Sequence, residues 1–412
     1  MATERTERTN WTDGPVSPGY PGDGRPGRDH AEADPAGLSR IKLKVGKALE
    51  LFLGQQQAVL RDISEDMESW FEAVDGLLAG GKKLRPAFCY WGWRAAGGTE
   101  CPEIYAAAAA LELLQASALI HDDVMDASDT RRGRPAVHLQ FAAHHQAAGY
   151  AGSADQFGAG AAILIGDALL SWTDQLYHDS GLPADTLRRG QPFLDAMRTE
   201  VAAGQYLDLV NQASGSASVA AAMRVVTYKT AKYTIERPLH LGAALAGPQL
   251  AARWSHHGRS QGSQRLPSDP DGRVRAATVN FTCSAYGLPL GIAFQLRDDV
   301  LGIFGDPVKT GKPVTGDIRE GKQTVLVALA RERASTSQAE LLDRHLGDRA
   351  LSEVAAAEVR AVVIDTGALA ECEALIAASA KEAVAALDGA PIPEEARAAL
   401  TALAIMATDR ED

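Results

Sequence analysis

The run LSRIKLKVGKALELFLGQQQAVL, residues 38–60, repeats apolar side chains at spacings of three and four, the period that lines them along one stripe of a helix. Alanine- and leucine-rich stretches of the same period recur to the C-terminus, while the alternation of apolar and polar residues that marks strands is almost missing. The pattern predicts an all-α chain. Residues 105–126 stand apart, because they are apolar on nearly every face. They predict a central helix surrounded by others, with alanines that let its neighbours come close. The helical pattern returns over residues 351–387, with a break expected at Gly367.

Two segments fall outside the pattern. Residues 1–37 are rich in Pro, Gly and charge and poor in aliphatics, so burial cannot offset their ordering entropy, and a disordered tail is expected. Residues 253–280, RWSHHGRSQGSQRLPSDPDGRVRAATVN, interrupt two helical stretches and read as an exposed loop insertion. No repeat of fixed period is present. Because the charged motifs described below come from both halves, residues 38–412 are expected to form a single helical domain.

Composition narrows the partners. The 412 residues carry 41 Lys and Arg against 53 Asp and Glu, a net charge of -12, with no basic block, which argues against nucleic acid. Cys89, Cys101, Cys283 and Cys372 lie far apart without a CxxC pair. This spacing suits neither a zinc site nor a disulfide framework, and a cytoplasmic location is expected. The N-terminus lacks an apolar leader, and the apolar run Tyr105–Ile120 is interrupted by Glu112. No transmembrane segment is expected.

The stretch ALIHDDVMDASDTRRG, residues 118–133, drives charge into the end of an apolar run. On a helix Asp122 and Asp126 share a face, with Asp123 beside them. The bland reading is a solvated acidic helix end. The sharper one is a metal site, since oxygen ligands suit a hard cation such as Mg²⁺, whose coordination shell phosphates and waters complete. FQLRDDVLGIFGD supplies a second pair, Asp298 and Asp299, again in an apolar helical setting. Two such clusters facing one another could hold several ions around a diphosphate. Cations accompany them: Arg131 and Arg132 follow the first cluster, GGKKLRP offers Lys82 and Arg85, YKTAKY offers Lys229, and KTGKPVTGDIREGKQT offers Lys312 and Lys322. Arginine grips phosphate oxygens in pairs and lysine acts as a point charge. There is more cation here than one diphosphate needs, which suggests two diphosphate-bearing substrates.

GGKKLRP, LIHDDVMD followed by RRGRP, GQYLDL, KTAKYT, FQLRDD and GKPVTGDIREGKQT occur in this order. On these motifs the chain from about Leu38 onward resembles the trans-isoprenyl diphosphate synthases of the polyprenyl synthetase family, and among them the bacterial geranylgeranyl diphosphate synthases. The resemblance implies a bundle of antiparallel helices around a deep central cavity, usually assembled as a homodimer. It implies that Asp122, Asp123, Asp126, Asp298 and Asp299 bind Mg²⁺ and through it the allylic diphosphate. It further implies that Arg131, Lys229, Gln295, Lys312 and Lys322 hold that same diphosphate, and that Lys82, Arg85, Arg132 and Gln115 take isopentenyl diphosphate. Two positions depart from the family. Gln115 stands where many members carry histidine, and Gly302 where many carry a third aspartate, with Asp306 as a substitute acting through water.

The implied reaction is ionisation of the allylic substrate followed by head-to-tail attack of isopentenyl diphosphate on the cation. The growing tail is expected to run back along the helix that ends in Asp122, meeting Ala118 and Ser117 first and Leu114 and Leu111 deeper. Bulky aromatics at the first two positions give short products in the family, so these small residues point to geranylgeranyl diphosphate (C20), with C25–C30 chains as the alternative.

Competing readings are weaker. An HD-type phosphohydrolase needs more histidines around His121 than His138, His144 and His145 supply. An EF-hand lacks its alternating ligands, and a terpene cyclase would not need Lys82, Arg85 and Arg132. A regulatory subunit of a heteromeric synthase would have lost part of its acidic clusters. Trp91 and Trp93 read as core residues, His121 as a packed histidine, and His256 with His257 as solvated loop.

Overall fold

Helix α4 (Pro102–Met125) starts on a proline, whose missing N–H is no loss in a first helical turn, and Ala107 to Leu111 along it are wholly buried. In this computed structural model, which describes residues 34, 36–215, 218–247, 270–305 and 315–408, α4 is surrounded on several sides. Against it pack α1 (Leu38–Ile63), α2 (Glu68–Leu78), α3 (Leu84–Ala95), α5 (Val137–Ala147) and α6 (Ala154–His178). The helix is long and apolar enough to cross a membrane, yet 72% of its most apolar window is buried inside the protein. Its hydrophobicity serves a protein core.

After α6 follow α7 (Ala184–Ser214), α8 (Val219–Val225), a π-helical stretch Val226–Glu236, α9 (Arg237–Ala246) and α10 (Pro270–Phe304). The last of these joins two apolar cores. Val279 to Leu290 pack with α1–α7 and α9, whereas Ala293 to Ile303 pack with the helices Val325–Arg333, Thr336–His345, Glu353–Asp365 and Ala368–Ala385. Local chemistry sets the helix ends. Ser153, Ser218, Thr324 and Ser352 accept hydrogen bonds from first-turn backbone amides, and Ser335 forms a reciprocal capping box with Gln338. Gly367, with φ 73°, separates two helices where the break was expected.

Residues 35–412 form one compact unit. Two boundaries differ from the sequence reading. Ala36, assigned to the tail, is buried and accepts a hydrogen bond from the Trp91 indole, so the packed body begins before residue 38; residues 1–33 and 35 lie outside the described residues. Residues 270–280, assigned to the insertion, are the opening turns of α10, which begins on Pro270, a residue that the first turn of a helix accepts. The remainder of that insertion, with His256 and His257, lies outside the described residues.

Candidate active site

The first acidic motif sits at the C-terminal end of α4. Asp122, Asp123 and Asp126 are there because the helix stops abruptly: Ala127 takes a left-handed φ of 48° and the chain turns into a small hairpin pairing Thr130–Arg131 with Arg134–Pro135. The two residues of its tip, Arg132 and Gly133, have φ of 54° and 73°, the double left-handed geometry that suits a tight hairpin. The turn parts the two arginines. Arg131 folds back to pair with Asp123, its Nε 2.9 Å from Oδ1, and reaches Asp122 at 3.7 Å. Arg132 points the other way and donates to the carbonyl of Leu77 at the end of α2.

Asp122 also faces Lys229, whose Nζ lies 3.2 Å from Oδ1 and 2.7 Å from Oδ2 of Asp208. Asp208 lies on α7, one turn beyond Gly204, and a Cβ on Gly204 would run into the backbone of Lys229. The glycine of GQYLDL is thus what lets the two helices close and the lysine reach both carboxylates. Burial works against the Asp122 charge, but Lys229, Lys322 and Arg131 outweigh it and hold its pKa below the ordinary value. Asp126 is only 6% exposed and neither of its carboxylate oxygens accepts a hydrogen bond. Burial and the neighbouring Asp122 push its pKa up to about 6, although Lys322 lies 3.7 Å away. An orphaned buried carboxylate beside an ionised one is a donor set that fits a hard divalent cation.

The second pair splits. Asp298 lines the cavity described below, while Asp299 is buried and accepts a hydrogen bond of 2.7 Å from Gln295, which in turn accepts one from Thr230 at 2.6 Å. Burial pushes the Asp299 carboxyl well above the usual carboxylate range. The space beyond Gly302 is filled by the carboxylate of Asp317, which a Cβ at 302 would strike. Lys322 lies 2.9 Å from Glu320, 3.7 Å from Asp126 and 3.8 Å from Asp317. Burial opposes its charge, but Asp317, Glu320, Asp126 and Asp122 outweigh that and raise its pKa. Lys312 and Asp306 lie outside the described residues.

Asp298, Gly302, Asp317, Glu320 and Lys322 line a cavity of about 720 Å³ together with Lys82, Arg85, Gln115, Arg131 and Arg132, whereas Asp122, Asp123, Asp126, Lys229, Gln295 and Asp299 stand outside its wall. Arg85 stacks its guanidinium 4.4 Å above the Tyr233 ring and donates to Thr234 at 2.8 Å. Gln115 presents a buried amide oxygen with no partner. From α4 the wall takes Glu112, Gln115 and Leu119, one stripe of the helix; Leu114 and Ser117 are buried elsewhere in the packing, and Ala118 also lies outside the wall.

Among the described residues no three carboxylate, histidine or cysteine side chains converge as a ready metal cage. His121 turns to the Ile163 carbonyl and to Asp167 on α6, and His145 to the Ala151 carbonyl. The dinuclear histidine–aspartate reading therefore has no geometric support among these residues.

Several groups escaped the sequence reading, Asp317 beyond Gly302 and Glu320 beside Lys322 among them. Asp208 carried a signal in GQYLDL. The buried ion pair Lys83–Glu112 had none beyond an acid inside an apolar run. Arg349 reaches across from a distant loop to cap α4, donating to the carbonyls of Asp126 and Ala127 at 2.8 and 2.9 Å.

The polyprenyl synthetase family model matches residues 68–263 and 274–363. The geranylfarnesyl diphosphate synthase of Aeropyrum pernix is 31% identical over 295 residues, spanning 71% of this chain and 78% of the relative. The geranylgeranyl diphosphate synthase of Sulfolobus acidocaldarius is 30% identical over 294 residues, spanning 71% and 76%. A crystal structure of geranylgeranyl pyrophosphate synthase from Corynebacterium glutamicum, complexed with isoprenyl diphosphate and magnesium, superposes with a TM-score of 0.81 at 39% identity. That match covers 90% of this chain and 99% of the other. An all-α bundle with these relatives is a trans-prenyl diphosphate synthase, a prenyltransferase. The chain belongs to the polyprenyl synthetase family.

Proposed function

We propose that the protein condenses isopentenyl diphosphate head to tail with an allylic diphosphate, using Mg²⁺, to make geranylgeranyl diphosphate. The observation that carries this reading is the cavity wall, which gathers Lys82, Arg85, Arg131, Arg132 and Lys322, with Arg131 and Lys322 beside the aspartates and Arg132 turned instead to the Leu77 carbonyl. Two groups of cations suit two diphosphates.

Asp122, Asp123 and Asp126, with Asp298 and Asp299, are the residues that would hold Mg²⁺, which when bound neutralises charge developing on a departing diphosphate. Arg131, Lys229, Gln295, Lys312 and Lys322 orient the allylic diphosphate. Arg131, Lys229 and Lys322 already stand among the carboxylates, preorganised donors of the kind that lower a barrier without rearranging during the step. The allylic C–O bond breaks and its electron pair leaves with the diphosphate. Lys82, Arg85, Arg132 and Gln115 hold isopentenyl diphosphate so that its double bond meets the cation, forming the new C–C bond, and the released diphosphate takes the proton then lost. The apolar helices around both acid clusters exclude water that would quench the cation.

The C20 product rests on the small side chains of Ser117 and Ala118 next to the aspartates, not on the described cavity. A C25 product is the second reading, favoured by the similarity to a geranylfarnesyl diphosphate synthase. Incubation of purified protein with Mg²⁺, isopentenyl diphosphate and, separately, dimethylallyl, geranyl and farnesyl diphosphates, with products identified by mass spectrometry, tests the reading. Absence of condensation without an added partner would turn it to a regulatory subunit. We also propose a homodimer, supported by an exposed apolar face on α6 that includes Phe157, Ile163, Leu164 and Leu170. Sedimentation of wild type against Leu164→Glu tests it; two unchanged monomers would sink it.

A further inference from the structure

Lys83 bounds the start of α3 with φ 53°, a left-handed backbone that side-chain-bearing residues disfavour. Its ammonium is buried, donates to the Leu78 carbonyl at 2.8 Å and pairs with Glu112 at 3.0 Å, the two side chains being 8% and 4% exposed. Leu78 is the last residue of α2, so the lysine closes a ring across Ala79, Gly80, Gly81 and Lys82. Arg132, also left-handed, donates to the Leu77 carbonyl and lies against Gly81. Two carbonyls that the end of α2 leaves without helical partners are thus met by cations whose own backbones are strained. Lys83, Ala127 and Arg132 are the only non-glycine residues of positive φ among the described residues, and all three line the cavity.

A buried ion pair contributes little net stability compared with apolar packing, because both charges must leave water. Its consequence here is directional. Lys82 precedes Lys83 and Arg85 follows it by two, and both stand in the cavity wall. We propose that the Lys83–Glu112 pair is a positioning device for the isopentenyl diphosphate subsite. It holds the turn between α2 and α3 in the strained form that aims Lys82 and Arg85 into the cavity, and it neutralises Glu112, a wall residue whose bare charge would repel an entering diphosphate. The inference rests on the condensation reading above.

The test compares wild type with Lys83→Met, Glu112→Gln and the double variant Lys83→Met/Glu112→Leu, measuring KM separately for isopentenyl diphosphate and for the allylic substrate. Each single variant raises KM for isopentenyl diphosphate at least about tenfold, since small misplacements of positioning groups have effects of this size, while the allylic KM stays within about threefold. The double variant buries no unpaired charge, so its fold is protected, and it keeps the raised value. A double variant with wild-type KM for isopentenyl diphosphate, or variants that raise both KM values alike, would overturn the positioning role. Wild-type protein that consumes no isopentenyl diphosphate would remove the condensation reading itself, an outcome distinct from either.

Discussion

Gly302 leaves the space that the carboxylate of Asp317 fills. The second acidic motif, short of a third aspartate in the sequence, therefore has an acid at that place from another part of the chain, beside Asp298 in the cavity wall. Gly302→Asp should not restore a family motif. It should drive a second carboxylate into the first, and turnover should fall about tenfold or more if the overpacking works against the site by 1–3 kcal/mol. Gly302→Asp/Asp317→Gly should recover part of the loss. A single variant more active than wild type would show that Asp317 does not occupy the third position in solution.

Lys229 spans Asp122 and Asp208. Lys229→Met should lower kcat by about 100-fold or more, the scale of losing one preorganised electrostatic contact. Asp208→Asn should do less, since Asp122 still engages the lysine. Steady-state kinetics of both singles and the double would decide: fully additive effects on kcat would mean that Asp208 does not act through Lys229.

His240 is buried against Arg237, with Nε2 3.2 Å from the Asn280 carbonyl and Nδ1 3.2 Å from an Arg237 nitrogen. Burial pushes its pKa down to about 4. The folded state thus keeps the ring neutral where the unfolded chain, near 6.5, takes up a proton. The histidine does not penalise folding above the unfolded value, and stability falls as pH drops from there toward 4. Between pH 7 and pH 5 the loss from this one group should be about 2 kcal/mol. Thermal unfolding across that range, compared with His240→Gln, measures it, and parallel pH profiles for the two proteins would refute the assignment.

Ser117 and Ala118 lie outside the described cavity, with Ser117 buried. If the growing tail opens a path between them and the facing helices, Ser117→Phe should shorten the main product by at least one isoprene unit, read by mass spectrometry. An unchanged product would place the tail elsewhere, along the Gln115 and Leu119 stripe that does line the wall.

Much of this protein follows from local order along the chain. The three- and four-residue period makes helices whatever they pack against, an all-round apolar helix has to be central, and the spacing of Asp122 and Asp126 puts both on one face of α4. Those properties depend on neighbours within a few residues, so the sequence by itself determined them. The tertiary structure decided which charges meet. Lys82 and Lys83 are adjacent, identical in type and both in the cavity wall, yet it is Lys83, on its left-handed backbone, whose ammonium is buried against Glu112. Arg349 caps α4 from 222 positions away, and Asp317 fills the space at Gly302 from the far side of a segment outside the described residues. Such contacts follow from how helices dock and which rotamers then fit, and no spacing along the chain encodes that sum of distant packing choices.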